Sequence, residues 1–82
     1  MFTNKSTDGR NNLCGIAVAR LRKAEGISQR ELADRLQRSG LDVDKNAVQR
    51  IESGQRFVTD IELVHLSKTL RASLEELLLE KE

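Results

Sequence analysis

Proline, tryptophan and tyrosine are absent from this chain, and cysteine and histidine occur once each. The single Cys14 rules out an internal disulfide, and Cys14 together with His65 is too small a donor set for a zinc site. No apolar run approaches the ~20 residues of a membrane span, and the opening stretch MFTNKSTDGR is too polar for a signal peptide. A soluble, cytoplasmic protein with no membrane, metal or cofactor partner is the expectation. No Ser/His/Asp arrangement, metal cluster or Gly-rich phosphate loop is present, so the chain is not expected to be an enzyme.

What is present is a helix-forming vocabulary of Leu, Ala, Arg, Glu, Lys and Gln, which points to an all-α fold. The 82 residues make one domain. A chain of that size buries only about 60–65% of its unfolded surface. The net charge of +1 conceals an asymmetry. Residues 1–56 hold 11 Lys/Arg against 7 Asp/Glu, whereas residues 57–82 hold 3 against 6. One end can face phosphates while the other faces solvent or a partner.

Residues 1–11 are polar and aperiodic and read as a flexible tail, with residues 12–82 as the single domain. Lys5 and Arg10 leave two readings of that tail open, an arm that touches DNA or a frayed terminus. A first helix runs from about Asn12 to Glu25 and stops at Gly26, with Cys14, Val18 and Leu21 on its inner face. Cys14 then reads as a small buried hydrophobe, not a redox sensor.

Three S/T-x-x-E patterns announce further helices as capping boxes: Ser28–Glu31, Thr59–Glu62 and Ser73–Glu76. The second helix has Ile27 as a staple onto Leu32, buries Leu32, Ala33 and Leu36, and ends near Arg38 or Ser39 before Gly40. The fourth buries Leu63, Leu66, Ser67 and Leu70. The fifth points Leu74 and Leu77 inward, and Leu78 and Leu79 cannot both share that face. His65 falls away from the inner stripe as a surface histidine, and Glu75, Glu76, Glu80 and Glu82 form a solvated acidic face.

The third helix, within DKNAVQRIESG, is marked at both ends by Asp44 as N-cap and Gly54 as terminator. Ala47, Val48 and Ile51 form its apolar face. Lys45, Asn46, Gln49 and Arg50 fill the opposite side with no acidic residue among them, which is the inventory needed to read base edges and phosphates in a major groove. Taken alone, the stretch fits a solvated amphipathic helix equally well.

Two capped helices in succession make a helix-turn-helix, whose second member enters the major groove. The segments LRKAEGISQRELADRL, VQRIESGQR and ASLEELL, in that order over about Val18 to Leu78, resemble the phage-repressor helix-turn-helix family of the Cro/CI (XRE) type. The resemblance implies a compact five-helix, lambda-repressor-like DNA-binding domain with residues 44–53 as recognition helix. It implies that Lys45, Asn46 and Arg50 read base edges, with Gln49 one turn further on. It also implies that Ser28, Gln29 and Arg56 contact phosphates, and that Arg22 and Glu52 pair to orient the recognition helix. Arg30 and Lys23 stand as more distant phosphate contacts or as plain surface charge. One departure stands out: Leu36 is separated from Val43 by QRSGLD, where the family has a link of the form Leu-Gly-Val-Ser. The link is about five residues longer than usual, so the ordinary turn of about 3–4 residues does not apply. An extra turn on the second helix with Leu41 tucked in is the expectation.

The implied function is a transcriptional regulator, a repressor, binding double-stranded DNA as a homodimer, because one small module buries too little surface for tight specific binding. Phe57, Val58, Leu78 and Leu79 have no clear place in the monomer core and are the dimer-surface candidates. The alternative is a protein-interaction module on the same fold, such as an antitoxin or adaptor.

Overall fold

Each helix starts and stops where a specific side chain or backbone turn takes over the hydrogen-bonding groups that a helix end leaves free. In the computed structural model, which describes residues 8–79, five helices and no strands occur among the described residues. They are α1 (Gly15–Ala24), α2 (Gln29–Arg38), α3 (Lys45–Ser53), α4 (Asp60–Leu70) and α5 (Leu74–Leu78). Ser28, Asp44, Thr59 and Ser73 each accept the backbone N–H three residues on, as N-caps should.

The capping boxes at Thr59 and Ser73 are complete, but the one expected at Ser28 is half formed. The Glu31 carboxylate, instead of reaching back to Ser28, accepts Arg35 at 3.0 Å and Arg38 at 3.5 Å. The Arg35 hydrogen bond, helped by both guanidinium charges, holds that carboxyl below its ordinary range. The first helix begins at Gly15, not near Asn12, because the Asn12 side chain leaves the helical path to accept the Gly15 N–H at 2.9 Å.

The buried core joins Cys14, Ala17 and Val18 to Leu32, Ala33 and Leu36 of α2 and to Ala47, Val48 and Ile51 of α3. Leu66, Leu70, Ala72 and Leu77 close it from the C-terminal side. Each fully buried aliphatic side chain contributes about 1.5–3 kcal/mol. Helix α3 packs against α1 and α2, while α4 and α5 lie across α1. Leu21, Ile27 and Leu63 sit at the core's margin, half-buried.

The fifth helix differs from expectation. Leu77 is buried and Leu78 packs beside it, but Leu74 remains 45% exposed, because α5 leans on the core with its C-terminal half. No helix among the described residues is long and apolar enough to cross a membrane.

The longer link is an ordered structure. Helix α2 continues to Arg38, and a left-handed Gly40 then turns the chain so that Gly40 N–H reaches Gln37 O at 3.0 Å and Leu41 N–H reaches Leu36 O at 2.9 Å. That pair of bonds is a Schellman closure, with Leu41 half-buried against the core as the expected anchor. The Gln37 amide then donates to Val43 O at 2.6 Å, one residue before the Asp44 cap.

Helix α4 ends the same way, but on Arg71, the only non-glycine with positive φ (55°) among the described residues. A side chain in this region costs about 1–2 kcal/mol, which glycine avoids while losing more freedom on folding. Arg71→Gly is therefore expected to stabilise the protein by about 0.5–1 kcal/mol, read as a rise in melting midpoint of a few degrees.

Burial pushes the Cys14 thiol up from 9.0 to about 11, and a backbone hydrogen bond and the Arg10 charge offset only part of that. The folded state thus holds this proton more tightly than the unfolded chain. Stability owed to the thiol is constant below pH 9 and falls as pH rises from 9.0 towards 11. Denaturant titrations across that window should show a fall that is shallower in Cys14→Ala.

Candidate nucleic-acid interface

Helix α3 presents its outer side as a continuous polar surface. Ala47, Val48 and Ile51 are buried, and Lys45, Asn46, Gln49 and Arg50 are exposed. Both ends are fixed. The Asp44 carboxylate accepts Ala47 N–H at 2.8 Å, and Gly54 closes the helix in the left-handed region with Gln55 N–H on Arg50 O at 2.9 Å. Asn46, Gln49, Arg50, Ser53 and Gln55 line a shallow open cleft of about 340 Å3. Lys45 stands apart from it, at the first helical position. Neither Lys45 nor Arg50 pairs with a carboxylate among the described residues.

Behind this surface lies a polar brace. Arg22 Nε and Nη2 grip both Glu52 oxygens at 2.6 and 3.1 Å, and Nη1 donates to Ile27 O at 2.9 Å. The side chains are 12% and 8% exposed, so little water competes. The hydrogen bond that Arg22 donates to Glu52 raises the Arg22 pKa above its ordinary value, desolvation opposing it. The Gln29 amide also donates to Glu52, at 2.9 Å. Three helices therefore meet at one carboxylate: α1 through Arg22, α2 through Gln29, and α3 through Glu52 itself.

The residues read from the sequence as phosphate contacts are engaged within the protein. Gln29 holds Glu52 and keeps one amide N–H for another acceptor. The Ser28 hydroxyl accepts Glu31 N–H at 3.0 Å and retains its own proton to donate. Arg56 is turned towards α4, with Nη2 on Glu62 at 2.7 Å. Arg30 and Lys23 are exposed.

Of the dimer-surface candidates, Phe57 and Leu79 are 57% and 63% exposed, but Val58 and Leu78 rest against the core. Ile61 and Val64 of α4 are also exposed. His65 is half-buried, its Nδ1 2.9 Å from the Ser39 hydroxyl at the end of α2.

Three residues near the N-terminus, none of them a site candidate from the sequence, belong to this site. Arg10, which the sequence places in the polar tail, donates its Nη2 to Glu52 O at 2.7 Å. Asn12 is buried and bonds Ile51 O and Arg56 O. A Cβ on Gly15 would lie 2.0 Å from Ile51 O. A glycine opening a stretch otherwise rich in helix formers was the available signal for the last of these. Lys5, the other arm residue, lies outside the described residues, as do residues 1–7 of the tail generally.

A capped polar helix braced against a preceding helix across a turn defines a helix-turn-helix. The comparisons agree: the family model described as Helix-turn-helix matches residues 18–77. A crystal structure of the restriction-modification controller protein C.AhdI from Aeromonas hydrophila is similar, with 32% identity and a TM-score of 0.66 over 77% of this chain and 84% of that one. Comparison with curated proteins finds no match. The chain belongs to the helix-turn-helix family of the Cro/CI (XRE) type, and it is a DNA-binding transcriptional regulator.

Proposed function

We infer that this regulator binds a specific double-stranded operator as a homodimer, inserting α3 in the major groove, and represses by occupying that site. One observation carries the reading: α3 turns Lys45, Asn46, Gln49 and Arg50 outward without an acidic neighbour among them, on a helix fixed at both ends. Arg and Lys suit guanine O6/N7, and Asn suits adenine N6/N7, each good pair giving about 1–3 kcal/mol of discrimination. The likeness to a restriction-modification controller protein supports a control role. Ser28 and the second amide proton of Gln29 serve as phosphate donors at the start of α2. Arg56 joins them by exchanging Glu62 for a phosphate.

The dimer surface centres on Phe57 and Leu79, with Ile61 and Val64 alongside, since all four are apolar and exposed. Val58 and Leu78 contribute at its edge. The same apolar residues keep the alternative in view, an antitoxin or adaptor that covers this face with a different protein.

Selection of bound sequences from a random duplex pool tests the reading. A palindromic product, affinity that falls steeply with salt, and a loss of about 10–100-fold on Arg50→Ala with relaxed preference at one base pair are expected. No enrichment, or affinity indifferent to salt, would overturn it in favour of the protein-interaction module.

A further inference from the structure

The last turn of a helix leaves carbonyls without intrahelical partners and carries the negative end of the helix dipole. At the end of α3 the Gly54 turn meets part of these needs, with Gln55 N–H on Arg50 O, and three consecutive residues near the N-terminus add to it. Arg10 Nη2 donates to Glu52 O at 2.7 Å, bringing a positive charge to the negative end. Asn11 donates its backbone N–H to Gly54 O at 2.7 Å and its amide to Gln55 O at 2.9 Å. Asn12 Nδ2 bridges Ile51 O at 3.1 Å and Arg56 O at 2.7 Å, while its Oδ1 accepts Gly15 N–H at the start of α1. Gly15 and Gly54 form the slot that lets Arg10 lie this close, since a Cβ on either would fall within 3 Å of the Arg10 side chain.

We propose that Arg10–Asn12 is a positioning strap that sets the pitch of α3 and thereby the protein's selectivity among base sequences, without contacting DNA. The inference rests on α3 being the reading helix. The other end of α3 hangs on the Asp44 cap and the Gln37–Val43 bond, both beside the lengthened link. Tilting α3 about that end stretches every strap bond together. Hydrogen bonds weaken steeply once distance or angle departs from a narrow range, so a small tilt misaligns Gln49 and Arg50 on their bases. Phosphate attraction is far less sensitive to orientation. Loss of the strap therefore lowers selectivity more than it lowers total affinity.

The test uses the full chain with Arg10→Met plus Asn11→Ala, which keeps the aliphatic stem over Gly54 and removes two side-chain donors. Binding is measured to a selected duplex and to a scrambled one, below the unfolding transition and over a salt series. The expected result is a drop of about tenfold in the ratio of the two affinities with an unchanged salt slope. Faster amide exchange at Gly54 and Gln55 should accompany it, and Arg10→Lys should partly restore both. A salt slope shallower by about one would mean that Arg10 neutralises a phosphate, and would overturn the proposal. A lower melting midpoint with an unchanged affinity ratio would overturn it equally. If the parent protein itself shows no preference between the duplexes, the failure lies with the reading of α3, and faster amide exchange at Gly54 and Gln55 still tests the strap.

Discussion

Gly15→Ala is expected to destabilise the protein by about 3 kcal/mol or more, although alanine is the better helix former by about 1 kcal/mol. The added methyl would sit 2.0 Å from Ile51 O, 2.4 Å from Arg10 Nη2 and 2.9 Å from Asn12 Oδ1. Arg10 can swing aside, but Ile51 O is backbone and receives the Asn12 amide. Relief requires α1 and α3 to separate, which opens the core around Val18 and Val48, both fully buried. A domain of this size holds roughly 5–10 kcal/mol in total, so the loss takes a large share of it. Thermal melting should show a midpoint lower by more than about 10 °C. A shift of under 2–3 °C, roughly half a kcal/mol, would show that the helices part without penalty.

Glu52→Ala is expected to cost about 2–3 kcal/mol. Fully buried pairs lose about 3–5 kcal/mol when one partner is removed, and the residual exposure of Arg22 lowers that figure. The substitution leaves the guanidinium with Ile27 O alone and strips Gln29 of its acceptor. Urea unfolding should give a lower midpoint, and Glu52→Gln, which keeps one acceptor in place, should recover part of the loss. Replacing Arg22 by Met and Glu52 by Leu together should recover more stability than either single change, since an apolar pair carries no uncompensated charge. DNA affinity should still fall in that double variant, because the brace orients α3 across three helices. If the double variant binds as well as the parent, the pair serves stability alone.

The parts of the fold legible in the sequence are those decided by near neighbours. Ser28, Asp44, Thr59 and Ser73 act on amides three residues away, and the stripes of α2 and α3 follow from helical period, so caps and core faces were readable. Residues whose partners lie beyond the next helical turn were not, except Arg22 and Glu52, whose pairing the family resemblance implies. Nothing within a few positions of Gln29 or Arg56 reveals Glu52 or Glu62 as a partner. The Glu31 box failed because Arg35, one turn on, competes for the same carboxylate with a full charge. Arg10 and Asn11 read as tail, and Asn12 as the start of the first helix, because a strap built from polar side chains and backbone carbonyls leaves no apolar periodicity. Leu74 lies outward, against the inward direction its spacing suggests, because a five-residue helix offers too little pattern to fix its roll.

The division of labour on α3 has a consequence for how such a protein changes its target. Ala47, Val48, Ile51 and Glu52 carry the helix's attachment to the rest of the molecule, and its ends are held through Asp44 and backbone carbonyls. Lys45, Asn46, Gln49 and Arg50 take no part in that attachment. On the proposed reading of α3, mutational drift at these four positions is filtered by what the operator accepts and hardly at all by folding. A new specificity can arise by single steps through well-folded intermediates, and the scaffold behaves as a holder with four interchangeable teeth.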